Sequence, residues 1–113
     1  MIATLSLNHA DTSDEFVLCE FPVLIGRSLD ASITLNDRWV SRQHCEIVRF
    51  DHRLIVRDLG SKHGTFVNDC AISESPLLPG DRLTVGISTF IASYEIDDEA
   101  LPGVKSATLV TRD

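Results

Sequence analysis

Short apolar stretches rich in Val, Ile, Leu, Phe and Thr alternate along this chain with Gly, Pro, Asn, Asp and Ser, and no ten-residue window carries a sustained helical period. That alternation leaves strands and turns as the building material and limits any helix to a single turn inside a loop. Strands are expected over 2–7, 15–19, 23–26, 33–35, 44–50, 53–58, 65–67, 82–85 and 89–96, with a brief extended piece at 71–72. The clearest unit is 44–58, where two runs flank Asp51-His52, a two-residue connection of hairpin type without the usual glycine. In its second run Leu54 and Val56 alternate with Arg53 and Arg57, as in a half-buried strand, and Ile55 breaks the alternation and needs a neighbouring element to cover it. Pro79-Gly80-Asp81 reads as a turn, proline presetting one dihedral and glycine supplying a positive one. The fold class that follows is all-β, a sandwich or barrel of two antiparallel sheets.

A chain of 113 residues supports one domain with a core that needs no metal or disulfide staple. No stretch approaches the roughly 20 apolar residues of a membrane span. The start carries no basic region followed by an apolar one, so no secretory signal is expected. The expectation is a cytoplasmic protein, or part of a longer intracellular one, without a membrane partner. Cys19, Cys45 and Cys70 fall in or beside expected strands and lack the C-x-x-C spacing of a zinc site. All three are expected as small buried apolar groups in reduced form, with no metal and no cofactor. The one composition shift, Asp97-Asp98-Glu99 followed by Leu101-Pro102-Gly103, divides the chain into a folded module at 1–97 and a loosely docked tail at 98–113.

The net charge of −7 argues against nucleic acid, whose capture depends on basic groups that displace counterions. Its distribution is uneven. From Arg27 to Lys62 the chain holds seven of its ten Lys/Arg and five of its 17 Asp/Glu, a local balance of +2 against −9 elsewhere. A modestly positive region on an acidic body attracts a small anion and repels bulk polyanions. Arg49, Arg53 and Arg57 read as solvated charges of a strand face.

Three loop segments lie in this basic stretch: Gly26-Arg27, Ser41-Arg42-Gln43-His44, and Ser61-Lys62-His63-Gly64-Thr65 with Val67-Asn68 beyond. Each stands where one apolar run gives way to the next, so two guanidinium groups, a hydroxyl and an ammonium can meet at one end of a β-scaffold. That combination suits a phosphate dianion. Arginine donates two parallel hydrogen bonds to phosphate oxygens and is always charged. A surface ion pair of Arg27 with Asp30 or Asp37 is the plainer alternative. Ser41 and His44 also invite comparison with a catalytic pair, but no G-x-S-x-G turn surrounds the serine and no orienting acid is evident.

Gly26-Arg27, Ser41-x-x-His44, Gly64-Thr65-x-Val67-Asn68 and Gly80-Asp81-x-Leu83-x-x-Gly86, in this order and spacing, resemble a forkhead-associated (FHA) domain over roughly residues 2–96. The resemblance implies a sandwich of eleven strands in two sheets, binding phosphothreonine peptides through loops at one end. It implies that Arg27 grips the phosphate, that the Ser41 hydroxyl donates to it, and that Arg42 and Lys62 add charge. His63 would contact the peptide backbone, at a position where the family often has asparagine. Gly26, His44, Gly64, Thr65 and Asn68 would support the binding loops. Where the family usually follows this asparagine with glycine, the chain has Asp69. The partner implied is a phosphothreonine-containing protein or peptide, a Ser/Thr kinase or its substrate. The alternative on the same fold is a phosphate-independent interaction domain. Thr12, Thr108 and Thr111 are sites at which the chain itself could carry the phosphate.

Overall fold

Alternation along each strand decides which face turns inward, and in a computed structural model that describes residues 2–8 and 13–95 it sorts eleven strands into two layers. In chain order they are β1 Ala3–Asn8, β2 Ser13–Leu18, β3 Val23–Gly26, β4 Ile33–Thr34, β5 Cys45–Phe50, β6 Arg53–Asp58, β7 Thr65–Val67, β8 Cys70–Ile72, β9 Glu74–Leu77, β10 Arg82–Val85 and β11 Ser88–Ser93. One sheet has six strands in the order β2-β1-β11-β10-β7-β8, and the other has five in the order β4-β3-β5-β6-β9. Every pairing is antiparallel except β3 with β4. The expected tail at 98–113 lies outside the described residues, as do Thr12, Thr108 and Thr111.

The core is the space between the two sheets. Leu5, Leu83, Val85 and Phe90 enter it from the six-stranded side, and Ile25, Ile47, Leu54, Val56 and Leu77 from the other, all fully buried. Each such side chain contributes about 1.5–3 kcal/mol by leaving water, so truncating one, as in Leu54→Ala, costs roughly 2–5 kcal/mol. In β6 the exposed Arg53 and Arg57 alternate with Leu54 and Val56, and Ile55 is half-buried between Val48 of β5 and Pro76 of β9. Tyr94, just past β11, joins the layers: its hydroxyl donates to the Leu77 carbonyl at 2.6 Å and accepts from the Leu54 amide at 3.3 Å.

The turns obey their local chemistry. Asp51 takes φ +61° to close the β5–β6 hairpin, a conformation aspartate tolerates better than most residues. Pro79 and Gly80 occupy the central positions of a turn closed by the Asp81 amide on the Leu78 carbonyl, with Gly80 at φ +91°. Asn68 and Asp69 both have positive φ in the β7–β8 turn, so Asp69 itself adopts the geometry for which glycine is commonest.

Two expectations need correction. The expected strands leave out 74–77, whereas β9 occupies that stretch as an edge strand, where the missing N–H of Pro76 costs no ladder bond. Of the three cysteines only Cys45 is buried, whereas Cys19 and Cys70 are exposed. Cys19 falls just beyond β2, and Cys70 lies in the outermost strand of its sheet, so neither position is covered.

Candidate functional site

β3 ends, β5 begins, β6 ends and β7 begins at the same end of the sandwich, because Ile25 pairs with Cys45 and Cys45 with Asp58, while Thr65 lies across the core from them. The connections leaving that end are 27–32, 35–44 and 59–64, so the three segments singled out by sequence are neighbours in space.

Ser41 joins them. Its carbonyl accepts the Arg27 amide at 3.0 Å, its hydroxyl oxygen accepts the Lys62 amide at 3.1 Å, and its own amide donates to Nδ1 of His44 at 3.1 Å. The Lys62 bond uses the hydroxyl as acceptor, which leaves its proton for a further partner. The Arg42 carbonyl accepts the Ser28 amide at 3.2 Å, so the Gly26–Ser28 and Ser41–Arg42 backbones run against one another. This approach explains Gly26. A Cβ there would stand 2.0 Å from the Arg42 carbonyl oxygen.

His44 is fully buried behind this junction. Nδ1 accepts from Ser41 and Nε2 lies 2.8 Å from the Gly64 carbonyl, which requires the neutral tautomer protonated on Nε2. One ring therefore fixes the distance between the 41–44 and 61–64 loops. His44 bonds the Ser41 amide rather than the Ser41 hydroxyl.

Asp58 holds the third loop. One carboxylate oxygen accepts the Gly60 and Ser61 amides at 2.9 and 3.0 Å, and the other accepts the Ser61 and Thr65 hydroxyls at 2.5 and 2.7 Å. The Ser61 hydroxyl accepts in turn from the Gly64 amide at 3.0 Å. Burial pushes the Asp58 carboxyl up, but the Ser61 and Thr65 hydroxyls and the two amides outweigh it and keep it below the ordinary carboxylate range. Beneath Thr65, burial pushes the Cys45 thiol up to about 12, which leaves it a neutral packing group.

The cations are placed differently from their acids. Arg27, Arg42 and Lys62 are exposed, and none takes part in the ion pairs found among the described residues. Asp37, one alternative partner for Arg27, accepts instead from the Trp39 and Ile87 amides at 2.9 and 2.8 Å. The Ile87 bond, larger than the opposing effect of burial, lowers the Asp37 carboxyl. Beside these groups the His63 and Trp39 rings stand nearly perpendicular with centroids 5.0 Å apart, and the Arg38 guanidinium lies 5.1 Å from the centroid of the same indole. Asn68 is placed elsewhere: from the β7–β8 turn its amide group bonds Asp81 and the Arg82 amide, at the opposite end of β7 from Gly64. A cleft lined by Phe16, Leu18, Val23 and Ile33 between the edge strands β2 and β4 contains none of the predicted phosphate ligands.

The sequence model of the FHA domain matches residues 23–86, from the start of β3 to the β10–β11 turn. The chain belongs to the FHA family. This FHA domain is 42% identical over 69 residues to the FHA domain-containing protein FhaA of Mycobacterium tuberculosis, a match covering 60% of the chain and 13% of FhaA. It is 36% identical over 76 residues to the oxoglutarate dehydrogenase inhibitor of Corynebacterium jeikeium, covering 67% of the chain and 53% of the inhibitor. The chain thus spans well under two thirds of either relative. A solved structure from work on phosphothreonine-dependent FHA domain interactions superposes with a TM-score of 0.77 at 34% identity, covering 84% of this chain and 98% of that one.

Sequence reasoning assigned no supporting role to four contributors to the FHA loops. Asp58 and Ser61 carried a signal, since Asp-x-x-Ser at a strand end is a side-chain-capped turn. Gly86 stood in the motif, but its contact with Asp37 had no local signal, because it joins residues far apart in the chain: a Cβ on Gly86, at φ +64°, would stand 2.3 Å from the Asp37 carboxylate.

Proposed function

We propose that this FHA domain binds phosphothreonine-containing segments of partner proteins, with Arg27, Ser41, Arg42 and Lys62 receiving the phosphate and His63 the adjoining peptide backbone. The observation that carries this reading is the junction at Ser41, where a hydroxyl with a proton to give is tied by backbone bonds to the segments bearing Arg27 and Lys62. Those cations have no acid of the described chain to neutralise them. A phosphate carrying about −1.5 to −2 charges supplies what they lack. Gly26, His44, Gly64 and Thr65 act from behind by holding the loops in register, and Asn68 steadies the far end of β7. The solved FHA domain of the phosphothreonine-dependent interaction work, at 34% identity, supports the same ligand class.

The module is a reader and not an enzyme. The imidazole of His44 is engaged by the Ser41 amide and the Gly64 carbonyl, so it does not serve the serine hydroxyl as a base. Residues 1–97 are assigned to the module and 98–113 to a tail. Free thiols at three positions and a kinase-made ligand fit a reducing cytoplasmic setting.

Fluorescence polarisation with a labelled phosphothreonine peptide and its unmodified twin tests the reading. Arg27→Ala is expected to lose roughly 2–5 kcal/mol of binding while the fold is retained. Equal affinity for the two peptides would instead favour a phosphate-independent interaction domain.

A further inference from the structure

The outward face of the five-stranded sheet can be read from strand register. Glu46, Val48 and Phe50 of β5, Arg57, Ile55 and Arg53 of β6, and Glu74 and Pro76 of β9 lie opposite the buried Ile47, Leu54, Val56 and Leu77. Cross-strand partners form rows. The first is Glu46–Arg57–Glu74, in which Arg57 pairs with Glu46 at 3.1 Å and Glu74 at 3.5 Å. The second, Val48–Ile55–Pro76, is wholly apolar, and the third sets Phe50, 68% exposed, beside Arg53. The other sheet differs. Its outward rows, Val17–Thr4–Ser93, Glu15–Ser6–Ile91–Arg82 and Ala71–Phe66–Thr84–Thr89, each break their apolar side chains with hydroxyl or charged ones. A coherent apolar row on one face only marks that face for contact with another surface.

The pattern fits itself. A two-fold axis running parallel to the strands, above the line between β5 and β6, lays the Arg57 of a second copy on Glu46, Ile55 on Val48, and Arg53 on the Phe50 ring. Carboxylate then meets guanidinium, aliphatic meets aliphatic, and cation meets aromatic, in both halves at once. Elsewhere two copies of a chain with net charge −7 repel. We infer that the chain self-associates through this face as a symmetric dimer. The patch measures roughly 20 by 15 Å at ~4.8 Å per strand, less than the ~800 Å² per partner of a standard interface, so the dimer is weak and concentration-dependent. Because the axis is parallel to the strands, the 27–32, 35–44 and 59–64 loops of both copies lie at the same end. If the proposed function holds, the pair engages a doubly phosphorylated partner with avidity that neither copy has alone.

Sedimentation velocity on the full chain without peptide, from micromolar to millimolar concentration, tests the dimer. The mass is expected to climb toward twice the monomer. Glu46→Arg sets like cations against each other across the axis, and Arg57→Glu sets like anions, so each alone stays monomeric. Their equimolar mixture regains the dimer, since the two variant faces carry opposite charge. Phe50→Asp, at an exposed position outside the ion triad, is also monomeric. A native chain that remains monomeric throughout, a mixture that associates no better than its components, or a Phe50→Asp variant that still dimerises overturns the inference. None of these outcomes involves phosphate, so they leave the reader assignment to its own test.

Discussion

Gly26→Ala tests how the binding loops are held together. The substituted Cβ would stand 2.0 Å from the Arg42 carbonyl oxygen and 2.8 Å from its carbonyl carbon. Carbon and oxygen rest no closer than ~3.3 Å even in favourable C–H···O contacts, so the 41–44 backbone must retreat. That movement strikes the Arg27 amide bond to Ser41 and the Ser28 amide bond to Arg42, at 3.0 and 3.2 Å. Two such bonds at about 0.5–1.5 kcal/mol each and overpacking of about 1–3 kcal/mol sum to roughly 2–6 kcal/mol. At about 4–8 °C per kcal/mol for a domain of this size, Tm falls by roughly 10–50 °C. Gly26 has no positive φ, so its penalty is steric. Gly80→Ala is the control: nothing lies within 4 Å of its Cβ, and φ +91° charges only the left-handed backbone, about 1–2 kcal/mol. Calorimetry and phosphopeptide polarisation on both variants give the answer. Gly26→Ala is expected to lose stability and affinity together, and Gly80→Ala a little stability only. A Gly26→Ala protein that melts and binds like the native one refutes the close-approach argument.

Asp58 gives a pH dependence. Its folded-state pKa lies below the ordinary value of 3.8, so its contribution is complete above that value and is lost as pH falls through the folded pKa. Tm measured against pH should show Asp58→Asn less stable than native near neutrality and the gap closing in acid; a gap constant down to the lowest pH contradicts the loop-anchor role. Alkylation followed by mass spectrometry should label the exposed Cys19 and Cys70 rapidly and spare buried Cys45, whose thiol sits near 12, until the chain unfolds. Tyr94→Phe removes the hydroxyl that joins Leu77 to Leu54, and urea titration should show a loss of about 1–3 kcal/mol; an unmoved midpoint speaks against that link between the sheets.

What the sequence disclosed was local. β3, β6, β7 and β10 stand where apolar runs and turn residues placed them, because alternation and turn chemistry are written in adjacent residues. β9 was not legible in this way: Pro76 is a fair sign against a strand interior, and only the completed sheet shows that this strand lies at an edge. The order of the recognition segments was legible as a motif. The reason Gly26 must be glycine was not, since the atom it avoids belongs to Arg42. The Asp37 link to Ile87 crosses 50 positions and had no local signature. Burial of cysteines went wrong for the same reason: composition says what a thiol prefers, while exposure depends on which strands end up outermost.

The most direct test of convergence at Ser41 is a nuclear magnetic resonance titration of the labelled domain with a phosphothreonine peptide, repeated with the unmodified peptide. The account predicts that the amides of Arg27, Ser41, Arg42, Lys62 and His63 shift together along one binding curve with the phosphorylated peptide and stay still with its twin. Shifts confined to another surface, or the same shifts from both peptides, contradict it.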